Sequence, residues 1–535
     1  MSASVTITNN DLSIAFRAPW SADDYALFIK SKALPEHVIA YDRETTSYTL
    51  TAPARFAGLV GVDTVHHIPA VKRPPSPLLL DYQLWARNMA LDAKRFAIWA
   101  DCGLGKTIIA LDWMLAVMAE TGGKVLYSAP LEVCKQTLNS EVPKFFPNEE
   151  PPVWLETLDA VREWAKSPGQ GWAITNHHKF AVDGVIHELN YLAGFVLDES
   201  SILKGGGGVI KWALIKSCKG IPYKLSLTAT PAPNDTMEYA SQASWLGKLR
   251  TEGEILWTFF RRDPKTNEWA LRPHAEEAFY RFMASWSIYL RKPAAYGFAD
   301  PFKDVPEPVI EEVRIHPTEA QLDAAEAFRR SYNPNDILPQ DRLGVTQRSK
   351  LSQIAKGFMY DGKGKDRTVI KIDSGKPQFV ARCAYEALAA GEQFLIWTVF
   401  DEESDILMDR IGSNKVQTLH GKDSEDARAE KLLAFSRGEI PGLISKGSLL
   451  GYGMNFQFCT RMIFSGFDDS FERFYQQVRR CYRYGSTKQL KVIVPFIPGL
   501  EDHMWLNILR KRNQWEADTA KQEAAYCNAV RQLAS

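Results

Sequence analysis

Residues 95–114, RFAIWADCGLGKTIIALDWM, constrain the fold more than any other stretch. An apolar run of strand length ends near Trp99. A glycine-containing turn comes next, and Lys106 and Thr107 then open an apolar run of helix length. In this order, backbone N–H groups of the turn and of the helix N-terminus converge on one point and surround phosphate oxygens. Lys106 is placed to reach β- and γ-phosphates, and Thr107 to offer its hydroxyl to Mg²⁺. Where the usual pattern has its first glycine the chain has Ala100. Gly103 and Gly105, nearest the lysine, are present.

A strand–turn–helix of this kind needs a parallel sheet around it, and the surrounding text supplies one. From about 78 to 300, short apolar runs (RFAIWA, KVLYSAP, WAITN, GFVLDES, YKLSLTAT) alternate with helical stretches. The alternation argues for βαβ units. It returns after residue 376 with QFLIWTVF, VQTLH, GLISKG, TRMIFSGF and QLKVIVPF. Between the two series lies a more helical, polar stretch. The expected class is therefore α/β, with two parallel-sheet domains in tandem. The boundaries fall as a small N-terminal α+β unit at 1–75, a first domain at 76–304, a helical, basic connecting segment at 305–375, a second domain at 376–503 and a C-terminal helix at 504–535. In the N-terminal unit, SVTIT and LSIAF read as strands, Ser21 as a helix cap and HVIAYDRETTSYTLTAP as a hairpin. The proline-rich PAVKRPPSP closes it.

Composition excludes several classes. With 535 residues, 45% hydrophobic and 24% charged, the chain is ordinary globular protein, long enough for several cores. Lys+Arg 64 balance Asp+Glu 64, so any basic track for nucleic acid must be local. Seven scattered cysteines form neither a disulfide framework nor CxxC zinc ligands. No basic-then-apolar start and no 18-residue apolar run is present, so a cytoplasmic protein without membrane contact is expected.

Asp198 and Glu199 end the apolar run YLAGFVLDESS, 92 residues after Lys106. At the tip of a parallel strand near the phosphate loop, Asp198 is suited to holding Mg²⁺, mostly through water. Glu199 is suited to orienting or activating an attacking water.

The motif order is distinctive: LLLDYQLWARNMA, DCGLGKT, LYSAPLEVCKQTLNSEVPKF, ITNHHKF, VLDESS, LSLTATP, FLIWTVF, LHGK, ISKGSLLGYGMNFQFCTRMIFSGF and FERFYQQVRRCYRYGS. Over about residues 78–500 this resembles the superfamily-two helicases and translocases, within them the Swi/Snf-like (DEAD/DEAH-box-type) ATPases, and among those a compact bacterial or phage-type member. The resemblance implies two RecA-like P-loop domains, ATP with Mg²⁺ between them, and nucleic acid across both, duplex DNA favoured over single-stranded DNA or RNA.

By the same resemblance, Gln83 matches the adenine-contacting glutamine, and Asp198 and Glu199 the DExx box. Thr228 and Thr230 match the motif linking ATP state to domain closure. Gly453 and Asn455 match a second-domain motif near ATP and nucleic acid. Gln476, Arg480 and Arg483 match the final motif. Arg480 and Arg483, three apart, would share one helix face and reach a γ-phosphate as arginine fingers. Two departures stand out: KGGGG at 204–208 where relatives often have Lys-Asn, and VCKQT without the tryptophan often found after the second motif.

Residues 342–376 hold nine Lys/Arg against three Asp, a candidate phosphate track. The block FFRRDPK at 259–265 and the pair Arg291-Lys292 are weaker ones. The expected function is a monomeric DNA-dependent ATPase acting as a helicase or translocase. The alternatives are an ATP-dependent switch or scaffold with docking termini, an RNA helicase, and a small-molecule P-loop kinase. The second domain and the paired arginines argue against the kinase.

Overall fold

In the computed structural model the residues described are 3–8, 11–32, 34, 37–53, 56–57, 60, 72–203, 208–229, 231, 239–249, 251–262, 269–331, 345–362, 367–412, 414–447, 449–450, 456–483 and 486–534. Their contacts divide the chain into two units. The first is Met1–Asp300 together with Ala517–Ser535, and the second is Pro301–Glu516. The first break falls between Asp300 and Pro301. The second falls inside the C-terminal helix.

The N-terminal residues form an antiparallel sheet from β1 (Ser4–Thr8), β2 (Asp11–Arg17), β3 (Val38–Asp42) and β4 (Ser47–Pro53), in the order β1-β2-β4-β3. Alternation puts Leu12, Ile14, Phe16, Leu50 and Ala52 into one buried cluster. The helix Ala22–Lys32 begins where Ser21 implies. Ser21 Oγ accepts the Asp24 N–H at 3.1 Å, and the Asp24 carboxylate accepts the Ser21 N–H at 2.9 Å.

The main sheet of the first unit contains β5 (Arg95–Ala100), β6 (Lys124–Ala129), β7 (Val153–Leu155), β8 (Gly171–Asn176), β9 (Gly194–Leu197) and β10 (Tyr223–Thr228). A hairpin of β11 (Phe260–Arg262) and β12 (Trp269–Leu271) comes next, and then β13 (Ser287–Leu290) joins the main sheet. The order is β13-β5-β10-β9-β6-β8-β7, with every pair parallel. Strands covered on both faces read as nearly unbroken apolar runs, and β5, β6, β8, β9 and β10 do so. The short β7 and β13 are not legible as strands in the sequence.

The second unit begins with β14 (Val309–Arg314), which lies in the segment expected to be a helical connector. It pairs with the last strand of the sheet, and its exposed Glu311 and Glu312 belong to an edge position. The rest of that segment carries helices Glu319–Ser331 and Val345–Ala355 and a hairpin of β15 (Phe358–Asp361) and β16 (Thr368–Lys371). Then come β17 (Phe394–Thr398), β18 (Val416–Leu419), β19 (Gly442–Lys446), β20 (Arg461–Phe464) and β21 (Lys491–Phe496). The order is β14-β21-β20-β17-β19-β18, again all parallel. Two tandem parallel α/β sheets of the RecA-like kind are therefore present, as expected.

The last helix, Asp502–Ala534, is 33 residues long. Met504, Trp505, Ile508 and Trp515 pack into the core of the second unit. Beyond Glu516 its residues contact the first unit. Thr519 Oγ1 lies 3.3 Å from the Tyr289 hydroxyl, Glu523 accepts the Lys292 N–H at 3.3 Å, and Lys521 pairs with Glu276 at 3.1 Å.

Candidate active site

The phosphate loop runs from the end of β5 into the helix Lys106–Thr121. Its turn depends on left-handed backbone at Gly103 (φ +87°) and Gly105 (φ +78°), a region that L side chains rarely enter. A Cβ on Gly105 would also stand 2.3 Å from the Gln83 amide nitrogen. The helix N-cap is Gly105 itself, which has no side chain to accept from the first N–H groups. Those donors are left to an anion. The Lys106 ammonium donates to the Ala100 carbonyl at 2.8 Å, which holds it at the loop.

The motif resemblance gives Gln83 a contact with adenine. In the structure it is buried, and its amide is engaged with protein. Its oxygen accepts the Leu80 N–H at 2.9 Å, and its nitrogen donates to the Leu104 carbonyl at 3.1 Å and to the Tyr82 hydroxyl at 3.3 Å. It therefore braces the phosphate loop from below. The helix that carries it, Asp81–Ala93, is locked to the loop helix by a fully buried ion pair, Arg87 Nε to Asp112 Oδ1 at 2.8 Å. The other Asp112 oxygen accepts the Ser76 N–H at 2.8 Å.

Asp198 and Glu199 come directly after β9. In the sheet β10 runs between β9 and β5. Two inter-strand spacings, about 10 Å, separate the strands. Asp198 is nevertheless within electrostatic reach of Lys106. Its N–H donates to the Ser128 carbonyl at 2.9 Å, and one carboxylate oxygen accepts the Glu199 N–H at 2.9 Å. The other accepts from the Tyr127 hydroxyl on β6. Burial raises the Asp198 carboxyl above the usual carboxylate range, against the pull of Tyr127, Lys106 and the Glu199 N–H. Burial and the Asp198 charge drive the Tyr127 phenol well above its ordinary value, so it serves as a neutral donor. Sequence reasoning misses Tyr127; its one signal is a tyrosine in the middle of the buried strand KVLYSA.

Glu199 has φ +50°, left-handed backbone at a non-glycine residue. Such strain costs on the order of 1 kcal/mol and is often found at functional sites. It turns the chain sharply at the strand tip. The hydroxyl of Thr107 and the carboxylate of Asp198 are hard oxygen donors of the type Mg²⁺ takes, and a desolvated carboxylate is one that a cation would stabilise.

Thr228 lies buried at the end of β10, paired in register with Trp99 of β5. Thr230, Gly453 and Asn455 lie outside the described residues, as do residues 204–207 of the glycine run.

In the second unit, Gln476 sits on the helix Phe471–Val478, and its amide donates to Glu472 at 3.4 Å. That helix ends at Val478, so Arg480 and Arg483 do not share a helix face as their spacing implies. They lie in the turn beyond it. The Arg480 carbonyl accepts the Phe456 N–H at 2.8 Å, and Arg483 Nε donates to the Arg479 carbonyl at 3.0 Å. The Arg479 guanidinium lies over the rings of Phe302 (4.8 Å) and Tyr482 (4.9 Å).

The basic run 342–376 is partly consumed inside the fold. Lys356 and Lys376 are buried and both bind Glu501, at 2.5 and 2.6 Å. Arg348 pairs with Asp469 at 2.9 Å, and Arg367 stacks on Tyr360. Lys371 is exposed, while Arg342, Lys363 and Lys365 lie outside the described residues. A count of charges along the sequence cannot register that some lysines are spent on a buried carboxylate.

Residues 376–485 match the family model described as the helicase conserved C-terminal domain. The chain is 25% identical over 404 residues to the p41 protein of Acyrthosiphon pisum secondary endosymbiont phage 1, covering 70% of this chain and 82% of that one. It also aligns with the Sulfolobus solfataricus SWI2/SNF2 ATPase core in complex with dsDNA, at 18% identity and TM-score 0.37, over 86% of this chain and 96% of that one. A second alignment, with the Pyrococcus furiosus Hef helicase domain, has 15% identity and TM-score 0.47, over 80% and 97%. Among the described residues no helix is long and apolar enough to cross a membrane.

Proposed function

We propose that the chain is a nucleic-acid-dependent ATPase of the helicase and translocase kind, acting on DNA. The observation that carries this reading is the pairing, in one chain, of a phosphate-loop helix with a glycine N-cap, near a buried Asp198 followed by a half-buried Glu199, with a match to the helicase C-terminal domain at 376–485. The loop's backbone donors and Lys106 hold the phosphates of ATP. Mg²⁺, carried by Thr107 and Asp198, supplies neutralisation of phosphate charge when bound. Glu199 accepts a hydrogen bond from the attacking water and orients it. Tyr127 and the Ser128 carbonyl keep the Asp198 segment fixed while this happens. Gln83 acts by bracing the loop, and in this reading any contact with adenine is secondary. From the motif resemblance alone, Arg480 and Arg483 are assigned to offsetting charge that develops on a γ-phosphate, and Gln476 and Gly453 to the same reaction.

The test is steady-state ATP hydrolysis by the full-length protein, alone and with duplex DNA, single-stranded DNA or RNA, with Lys106→Ala as control. Duplex stimulation is expected. Stimulation mainly by single strands would move the reading to a strand-separating helicase. A rate that no polymer raises would overturn the motor reading and favour an ATP-dependent switch. Arg483→Ala should lower kcat more than ATP affinity, and the reverse pattern would remove its assigned role.

A further inference from the structure

Gln242 lies on the helix Tyr239–Leu246 and is 1% exposed. It belongs to none of the sequence motifs. Its carbonyl oxygen accepts from Trp99 Nε1 at 2.8 Å, from Ser226 Oγ at 3.0 Å and from Ser200 Oγ at 3.3 Å. Its amide nitrogen donates to the Pro231 carbonyl at 3.1 Å. These four partners are not a random set. Trp99 is the residue before Ala100, whose carbonyl holds Lys106. Ser200 directly succeeds Asp198-Glu199. Ser226 is two residues before Thr228 on β10, and Pro231 lies just beyond that strand. One buried amide therefore joins the carboxyl ends of three adjacent parallel strands, β5, β10 and β9.

A carbonyl oxygen has two lone pairs, so three donors oversubscribe it, and the longest contact, to Ser200, is the weakest. An ordinary structural glutamine needs only to be satisfied. This one is saturated by groups that flank each element of the candidate site.

We infer that Gln242 is a positioning residue. It fixes the phosphate loop, the carboxylate pair and the Thr228 strand to one another, and the segment at Pro231 to all three. This rests on the ATPase reading given above. The strands are spaced by backbone pairing in any case. What the amide adds is a common anchor at the ends where their side chains must meet one nucleotide, and sub-ångström misplacement there is costly to rate.

The test uses the full-length protein with Gln242→Leu, which keeps the volume and removes every hydrogen bond, and Gln242→Glu. A buried glutamate in its protonated form can accept and donate as the amide does. Gln242→Leu should lower kcat for ATP about tenfold or more, with KM for ATP changed less than about threefold, a difference of roughly 1.4 kcal/mol in the barrier. Gln242→Glu should recover most of that rate at pH 6. Hydrogen exchange of the Leu variant should show protection lost together in peptides covering 96–100, 197–203 and 225–231.

Exchange confined to 239–246, or kcat per folded molecule within twofold of wild type, would overturn the proposal and leave Gln242 a packing residue. If wild type itself shows no Lys106-dependent turnover, the ATPase reading fails. The clamp is then still decided by whether the three peptides lose protection together.

Discussion

Gly105-Lys106 and Gly375-Lys376 both open helices, one in each unit, and they have opposite fates. At the first, the N-cap is a left-handed glycine, which offers the helix start no side-chain acceptor. At the second, Ser374 Oγ already accepts the Lys376 N–H at 3.2 Å, and Pro377 has no N–H to give. Lys106 is half-buried at the loop, while Lys376 is wholly buried on Glu501. The same dipeptide thus builds an anion site in one unit and a structural ion pair in the other. The residues on either side decide: leucine, with no side-chain acceptor, before and threonine after, or serine before and proline after.

A third lysine extends the contrast. Lys224 on β10 is 1% exposed, has no acidic partner among the described residues, and donates to the Trp245 carbonyl. Burial pushes its ammonium down from 10.5 to about 7. Burial likewise pushes Lys376 down to about 8, with Glu501 opposing that shift.

The comparison is open to experiment, most sharply at Lys106. Lys106→Ala should cut ATP turnover by roughly 10²–10³-fold with little change in thermal stability, as loss of a donor to developing charge does. A comparable loss of turnover per folded molecule in Lys376→Met would erase the distinction between the two lysines. Next in size is Glu501→Gln, which strands two buried ammonium groups. Urea denaturation should show a loss of about 3–5 kcal/mol, reporting on the second unit.

Lys224→Met should act in the opposite direction and stabilise the first unit by about 1–3 kcal/mol at pH 7. Between about pH 7 and 10.5 the unfolded chain holds a proton that the folded chain does not, so wild-type stability rises with pH through that window. The advantage of the variant should therefore be largest at pH 7 and below, and vanish above about 10.5. Melting curves at pH 7 and pH 10 check the sign. The smallest effect belongs to Lys371, an exposed member of the basic run with no ion pair among the described residues. If that run touches DNA phosphates, Lys371→Ala should reduce the salt slope of binding by about one, and Lys376→Met should leave it unchanged.

Much of the fold is legible where the local sequence carries its own reason. Strands buried on both faces announce themselves as apolar runs, and the loop at Gly103–Thr107 is specified by its two glycines and by the Lys-Thr pair after them. Edge strands such as β14, VIEEVR, carry too much charge to read as sheet. The pairing of Arg87 with Asp112, of Tyr127 with Asp198 and of two lysines with Glu501 joins residues far apart in sequence, and no local pattern encodes it. The two arginines of the final motif show the converse error. A spacing of three implies a shared face only while the helix lasts, and this one ends at Val478.

The division of the last helix has a consequence for how the protein is made. Tyr289, Lys292 and Glu276 receive their partners from residues 519–523. The ribosome must first deliver the whole intervening unit, Pro301–Glu516. At about 5–20 residues per second that delay is roughly 10–40 seconds. During it the nascent first sheet stands without its closing strap, while the second can complete itself as it emerges. The half of the protein that begins synthesis first is the half that finishes last.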